Sequence, residues 1–234
     1  MMWKKVTGDM LFEQMKWVVI YVFFIIFFHI ALLILAVNYD FEQGDFLTFS
    51  YGSAPIVMLI VGLMSAYTFL PILVNHGVTR KDYFIGGAIS GAGVSIILAL
   101  VATVISLAGY GVWGLLNIQY EMDSLVNKMG GNWLSAIIFY SVSILIVYYI
   151  GWLIGVGYYR YGWKKGFFFI GVAIVLMMVT DFLWEGDIYK GFADWLPFAG
   201  SEFSLPISLL GSAVLITILL VVIRRITKYV SIKL

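Results

Sequence analysis

The sequence predicts an all-α, polytopic membrane protein with six transmembrane helices, and three observations carry that prediction. Of its 234 residues, 62% are hydrophobic and 12% charged, against roughly 45–50% and about 25% in a water-soluble domain, so the apolar surface exceeds what one core can bury. The apolar residues are also gathered into six continuous runs, most of them close to the ~20 residues a helix needs to cross a hydrocarbon layer about 30 Å thick. Finally, the basic residues are segregated into alternate connections between those runs.

Taken in order, residues 1–16 open with Lys4 and Lys5 and are mildly amphipathic, with Leu11, Phe12 and Met15 near one helical face and Asp9, Glu13 and Lys16 elsewhere. Such a segment suits a helix lying in the membrane interface or a helical extension of the first span. The first run, 17–37, lacks a small-residue cleavage site and reads as an anchor, not a removed signal peptide. The second run covers 52–74. The third, 83–107, begins with Gly86, Gly87, Ser90, Gly91, Gly93 and Ser95, and the spacing of Gly87 and Gly91 lets helix backbones approach closely. The fourth, 133–157, repeats the theme with Gly151 and Gly155. The fifth, 167–182, is the shortest, and the sixth covers 205–223. Ahead of the last run, Ile188 to Phe203 mixes Phe192, Trp195, Leu196, Pro197, Phe198 and Phe203 with acids, which predicts short helices at the outer interface. With no room for a soluble domain and no internal repeat, residues 1–234 read as a single transmembrane domain.

Charge orients the bundle, because Lys and Arg accumulate in cytoplasmic connections near span ends. One side collects Lys4, Lys5, Lys16, Arg80, Lys81, Arg160, Lys164, Lys165, Arg224, Arg225, Lys228 and Lys233, which is 12 of the 14 basic residues. The other side holds nine carboxylates, those of Asp40, Glu42, Asp45, Glu121, Asp123, Glu185, Asp187, Asp194 and Glu202, against Lys128 and Lys190. Both termini are therefore expected in the cytoplasm of a plasma-membrane protein. Trp17, Tyr39, Tyr51, Tyr83, Tyr110, Trp133, Tyr158, Tyr159, Trp163 and Trp184 fall at the same span ends, as headgroup-level aromatics do.

Residues for chemistry within the membrane are scarce. His29 lies in mid-span without an acidic or basic neighbour in its own run. It reads as a neutral imidazole hydrogen-bonded to a neighbouring helix, or as a ligand-sensing or proton-linked group. Asp181, near the outer end of the fifth run, reads as an interfacial carboxylate or a partner of Lys190. With two histidines and no cysteine, a zinc site would have to lean on outer-loop carboxylates, and no paired aspartates or Ser and His dyad stand at membrane depth. There is no GxxxxGK[ST] phosphate loop. The residue set argues against catalysis and against a bound cofactor or metal in this chain, and gives no sign of nucleic-acid binding.

Two segments carry a resemblance. The connection Asn75, His76, Gly77, Val78, Thr79, Arg80, Lys81, Asp82, Tyr83 and Phe84 resembles the loop between the second and third spans of type 2 ATP-binding-cassette (ABC) transporter permeases, particularly the short permeases of Gram-positive bacteria. Gly155 to Lys164, with Arg160, Gly162 and Trp163, is similar to the end of the fourth span in the same group. These motifs cover about 20 residues; the remaining likeness is in length and topology. The resemblance implies a permease that pairs with a second copy or paralogue and with cytoplasmic ABC ATPase subunits, which supply the ATP and Mg chemistry. It further implies that Gly77, Val78, Thr79, Arg80, Lys81, Asp82 and Tyr83 form the coupling helix on which the ATPase docks. Thr79 is placed to cap such a helix. Arg160, Lys164 and Lys165 are expected to touch the partner or lipid headgroups. Apolar spans suit export of peptides or lipid-like, amphipathic molecules. The alternative is a non-transporting immunity or sensor protein that binds a peptide at its acidic outer face.

Overall fold

The computed structural model describes residues 2–39, 44–115, 124–184 and 204–230. The expected outer helices within Ile188 to Phe203, together with Lys190, Lys233 and all nine outer acids except Asp45, lie outside them. The described elements are helical: α1 Met2–Tyr39, α2 Phe46–Met64, a π turn Ser65–Phe69, α3 Leu70–Asn75, α4 Arg80–Leu115, α5 Leu125–Lys128, α6 Trp133–Leu183 and α7 Leu205–Lys228. Five helices, counting α2 through α3 as one, are long and apolar enough to cross a membrane.

The α6 helix is two helices in one. Gly162 has φ +76° and ψ 174°, a backbone region only glycine adopts cheaply, and the chain reverses there. At 1.5 Å per residue, Phe139 and Trp184 would be far apart along a straight helix, yet their rings lie 4.9 Å apart. The corner is closed by Tyr161 stacked on Phe169 at 5.8 Å, and by Gly157 and Gly166, where an added Cβ would strike the Phe169 and Tyr158 rings. The arms, 133–161 and 163–183, contain the expected fourth and fifth runs and pack antiparallel along their length.

The helix α1 takes the second of the two forms expected for its start. It is continuous from Met2 to Tyr39, so residues 2–16 extend the first run as one rod. Its buried stripe is Val6, Met10, Gln14 and Val18, a four-residue repeat that faces α4. Phe12, grouped with Leu11 and Met15 in the sequence, is 65% exposed, whereas those two are half-buried. The stripe fits because α4 offers glycines: a Cβ at Gly86 would strike Val6, while Met10 packs on Gly87 and Leu11 on Gly93.

The core runs along α2 and the first arm of α6. The residues Gly62, Gly151 and Gly155 let these backbones touch, since a Cβ there would meet the carbonyls of Tyr148, Leu59 and Leu63 respectively. Gly87 and Gly91 of α4 receive the Trp152 and Tyr148 rings, so both glycine pairs serve packing inside the chain. The outward faces carry Ile20, Phe23, Phe24 and Phe27 of α1, Leu100 and Val104 of α4, and Leu210, Val214 and Ile218 of α7, all exposed. An apolar band of that kind needs lipid around it.

The π turn also has a cause in sequence. Pro71, in the first turn of α3, has no N–H to give the Tyr67 carbonyl, and its ring would clash with that carbonyl in a regular helix. Widening the preceding turn removes the clash.

Candidate functional site

At one end of the bundle, α3 stops and α4 begins within four residues. Gly77, at φ +83°, donates its N–H to the Val74 carbonyl (3.0 Å), and Val78 donates to Leu73 (3.0 Å). This paired closure is the Schellman arrangement, in which a left-handed glycine ends a helix and the next apolar residue tucks under it; Val78 is buried accordingly. Thr79 then starts α4. Its Oγ1 accepts from Asp82 N (3.1 Å) and donates to the Asp82 carboxylate (2.8 Å). The carboxylate also faces the positive end of the helix dipole.

The segment from Gly77 to Tyr83 is therefore not a separate short helix. It is a two-residue corner plus the first turn of α4, with Gly77, Thr79 and Lys81 exposed and Tyr83 0% exposed.

The tyrosine connects that turn to the interior. Tyr83 OH donates to the Ser65 carbonyl in the π turn (2.6 Å) and accepts from Trp152 Nε1 (2.8 Å). Beside it, Ser65 Oγ and Tyr148 OH are 2.8 Å apart, and the Gln14 amide donates to both at 3.0 Å. Tyr148 OH also reaches the Gly87 carbonyl (3.3 Å). Five buried polar side chains thus tie α1, the π turn, α4 and α6 together, and Gln14 Oε1 alone among them has no partner among the described residues.

Over this network the basic segments converge on the last turn of α7. Arg224 donates to the Arg80 carbonyl (3.0 Å) and lies over the Phe84 ring. Arg80 donates to the Lys228 carbonyl (3.3 Å), and Arg160 to the Ile226 carbonyl (3.1 Å). The final carbonyls of a helix lack internal partners and carry partial negative charge, so guanidinium groups from neighbouring elements satisfy both needs. Since Val6 abuts Gly86, the start of α1 lies at this same end. The bases of four separate segments share one end of the molecule, with Lys81, Lys164, Lys165, Arg225 and Lys228 exposed. Lys16 stands further along α1 and pairs with Glu13 at 2.6 Å.

Of the expected site residues, Arg80 and Arg160 are brought together on α7, whereas Lys164 and Lys165 stay outside that contact. Sequence reasoning missed Gln14, Ser65, Tyr148, Trp152 and the bond from Arg224 to the Arg80 carbonyl. Among the described residues, no group of three or more His, Cys, Asp or Glu side chains converges as a metal site would require.

No family model, curated protein or solved structure matches this chain.

Proposed function

We propose that the chain is the six-span membrane subunit of an ABC exporter, resident in the plasma membrane with both termini cytoplasmic. In this reading a second permease copy or paralogue completes the transporter, and separate ATPase subunits hydrolyse ATP on their own Mg. Counting the two arms of α6 separately supports six spans, and the shared basic end supports an inward orientation. The acids that the sequence assigns to the outer connections, together with the apolar spans, favour peptides or lipid-like, amphipathic molecules as cargo.

One observation carries the proposal: the turn from Gly77 to Tyr83 is capped at both sides, exposed along Gly77, Thr79 and Lys81, and fastened through Tyr83 to a buried network that spans four elements. Work delivered by a partner reaches the bundle only through a stiff contact, and this is such a contact. The test is capture of the full-length chain from its native membranes, followed by mass spectrometry. The unaltered chain is expected to bring down an ATP-binding-cassette ATPase, and Lys81→Glu, which changes an exposed side chain at the turn, to lose it. Recovery of no such ATPase with the unaltered chain, or equal recovery with the variant, overturns the docking assignment.

A further inference from the structure

At the end of the bundle opposite the basic cluster, two ionisable side chains from different elements are buried together. His29 of α1 is 7% exposed and Asp45, which caps α2, is 2% exposed. The imidazole lies against the first turn of α2, 5.4 Å from the Phe46 ring and 5.0 Å from the Phe49 ring. The Asp45 carboxylate is near enough to act on it electrostatically. Asp45 Oδ1 is fully used: it accepts from Thr48 N (3.2 Å) and from Thr48 Oγ1. Its other oxygen, Oδ2, and His29 Nδ1 are both buried without a hydrogen-bond partner among the described residues.

We propose that His29 and Asp45 form a proton-binding site inside the bundle, in which uptake of one proton from solvent joins Nδ1–H to Oδ2 and latches α1 to the first turn of α2. With a neutral imidazole the pair carries one buried negative charge, partly offset by Thr48 and the N-terminus of α2, and leaves one carboxylate oxygen and one ring nitrogen unpaired, which is costly away from water. A proton on the ring removes the net charge and supplies the donor that both orphan atoms lack. Histidine is the side chain whose ordinary titration falls in the physiological range. Among the other titratable groups on elements packed here, Tyr110 of α4 also feels the Asp45 charge, while Lys128 of α5 is exposed. On α6, Asp181 acts on Tyr51, further along α2. Among the described residues, the Asp45 carboxylate is a charge that acts on the ring. The inference is independent of the exporter reading, because it concerns the opposite end of the molecule and no partner.

The chain has two histidines, so His76→Gln leaves a single reporter. The full-length chain, labelled with 15N-histidine and held in lipid nanodiscs, is titrated between about pH 5 and pH 8 while the imidazole nitrogen shifts are followed by NMR. The expected result is one protonation event at His29. In Asp45→Asn, about tenfold more protons are needed to reach the same protonated fraction. Asparagine is an equally good helix cap, so this variant removes the charge and keeps the start of α2. Asp45→Ser, another good cap, repeats the measurement should the asparagine variant fail to fold. A His29 that stays neutral throughout, or one that titrates identically when the carboxylate is gone, overturns the proposal.

Discussion

Replacing Tyr83 by Phe removes one oxygen atom from the buried network and tests whether the α4 turn is fastened to the core. The ring itself keeps its place against Trp152, with centroids 5.7 Å apart, so the loss is confined to hydrogen bonds. Two are lost: the one to the Ser65 carbonyl and the one from Trp152 Nε1. Trp152 is 0% exposed, so its N–H is stranded without water. An unsatisfied buried donor costs about 1–3 kcal/mol. Hydrogen bonds between helices in membranes have averaged nearer 0.6 kcal/mol, since the unfolded chain in lipid also finds partners. Together these give about 2 kcal/mol, or roughly thirtyfold in the unfolding equilibrium. Reversible unfolding in mixed detergent and lipid micelles, followed by tryptophan fluorescence, measures it. Because Tyr83 and Trp152 share a bond, the double variant with Trp152→Phe should be less damaged than the sum of the singles, by about 1 kcal/mol. A loss below about 0.5 kcal/mol for Tyr83→Phe, or strictly additive singles, would refute the claim that this bond couples the turn to the core.

Other perturbations follow from the same geometry. Gly151→Ala drives a methyl into the Leu59 carbonyl and should cost about 1–3 kcal/mol by forcing α2 off α6, whereas Gly8→Ala, with open space around it, should gain up to about 1 kcal/mol from helix propensity; thermal unfolding of both variants checks the contrast. Gly162→Ala, at φ +76°, should destabilise the α6 corner by about 1–3 kcal/mol, and a cysteine pair introduced at Phe139 and Trp184 should then crosslink more slowly. Asp45→Ala should cost about 1 kcal/mol through loss of the α2 cap, while Asp45→Asn should leave stability nearly unchanged, again read by unfolding.

The runs that became helices were legible because lipid imposes a simple demand: a segment in hydrocarbon must bond its own backbone and show apolar side chains. The position of the α6 corner was legible as well, since polar and glycine residues around Arg160 and Gly162 interrupt the run. The network behind the candidate site was not legible. Gln14 stands in a polar stretch and reads as surface, but the Gly86 and Gly87 notch lets α1 settle deeply enough to bury it. Asp45 belongs to an acidic connection, where a solvated carboxylate is the ordinary expectation. His29 has no charged neighbour on its own helix, and its neighbour arrives through the antiparallel return of α2. In each case the deciding contact joins residues distant in sequence, for which periodicity carries no signal. Thr79 was readable as a cap because capping is local.

The two ends of the bundle differ in how firmly their polar groups are held, and this bears on which end can rearrange. Near the basic end, Tyr83, Tyr148, Ser65 and Trp152 are mutually bonded, the close approach of Gly62, Gly151 and Gly155 interlocks α2 with α6, and three guanidinium groups bond backbone carbonyls at the junction with α7. Toward the other end, His29 Nδ1 and Asp45 Oδ2 lie buried in neighbouring elements without a hydrogen-bond partner among the described residues, against the single atom Gln14 Oε1 in the network near the basic end. A buried polar atom without a partner raises the energy of the arrangement that contains it. It therefore lowers the cost of moving to an arrangement that satisfies it. A bundle with a better-bonded base and a less-bonded far end is expected to deform first at the far end, so under the proposed docking a push on the Gly77 to Tyr83 turn would be passed through the base and read out as movement of α1 against α2 around His29.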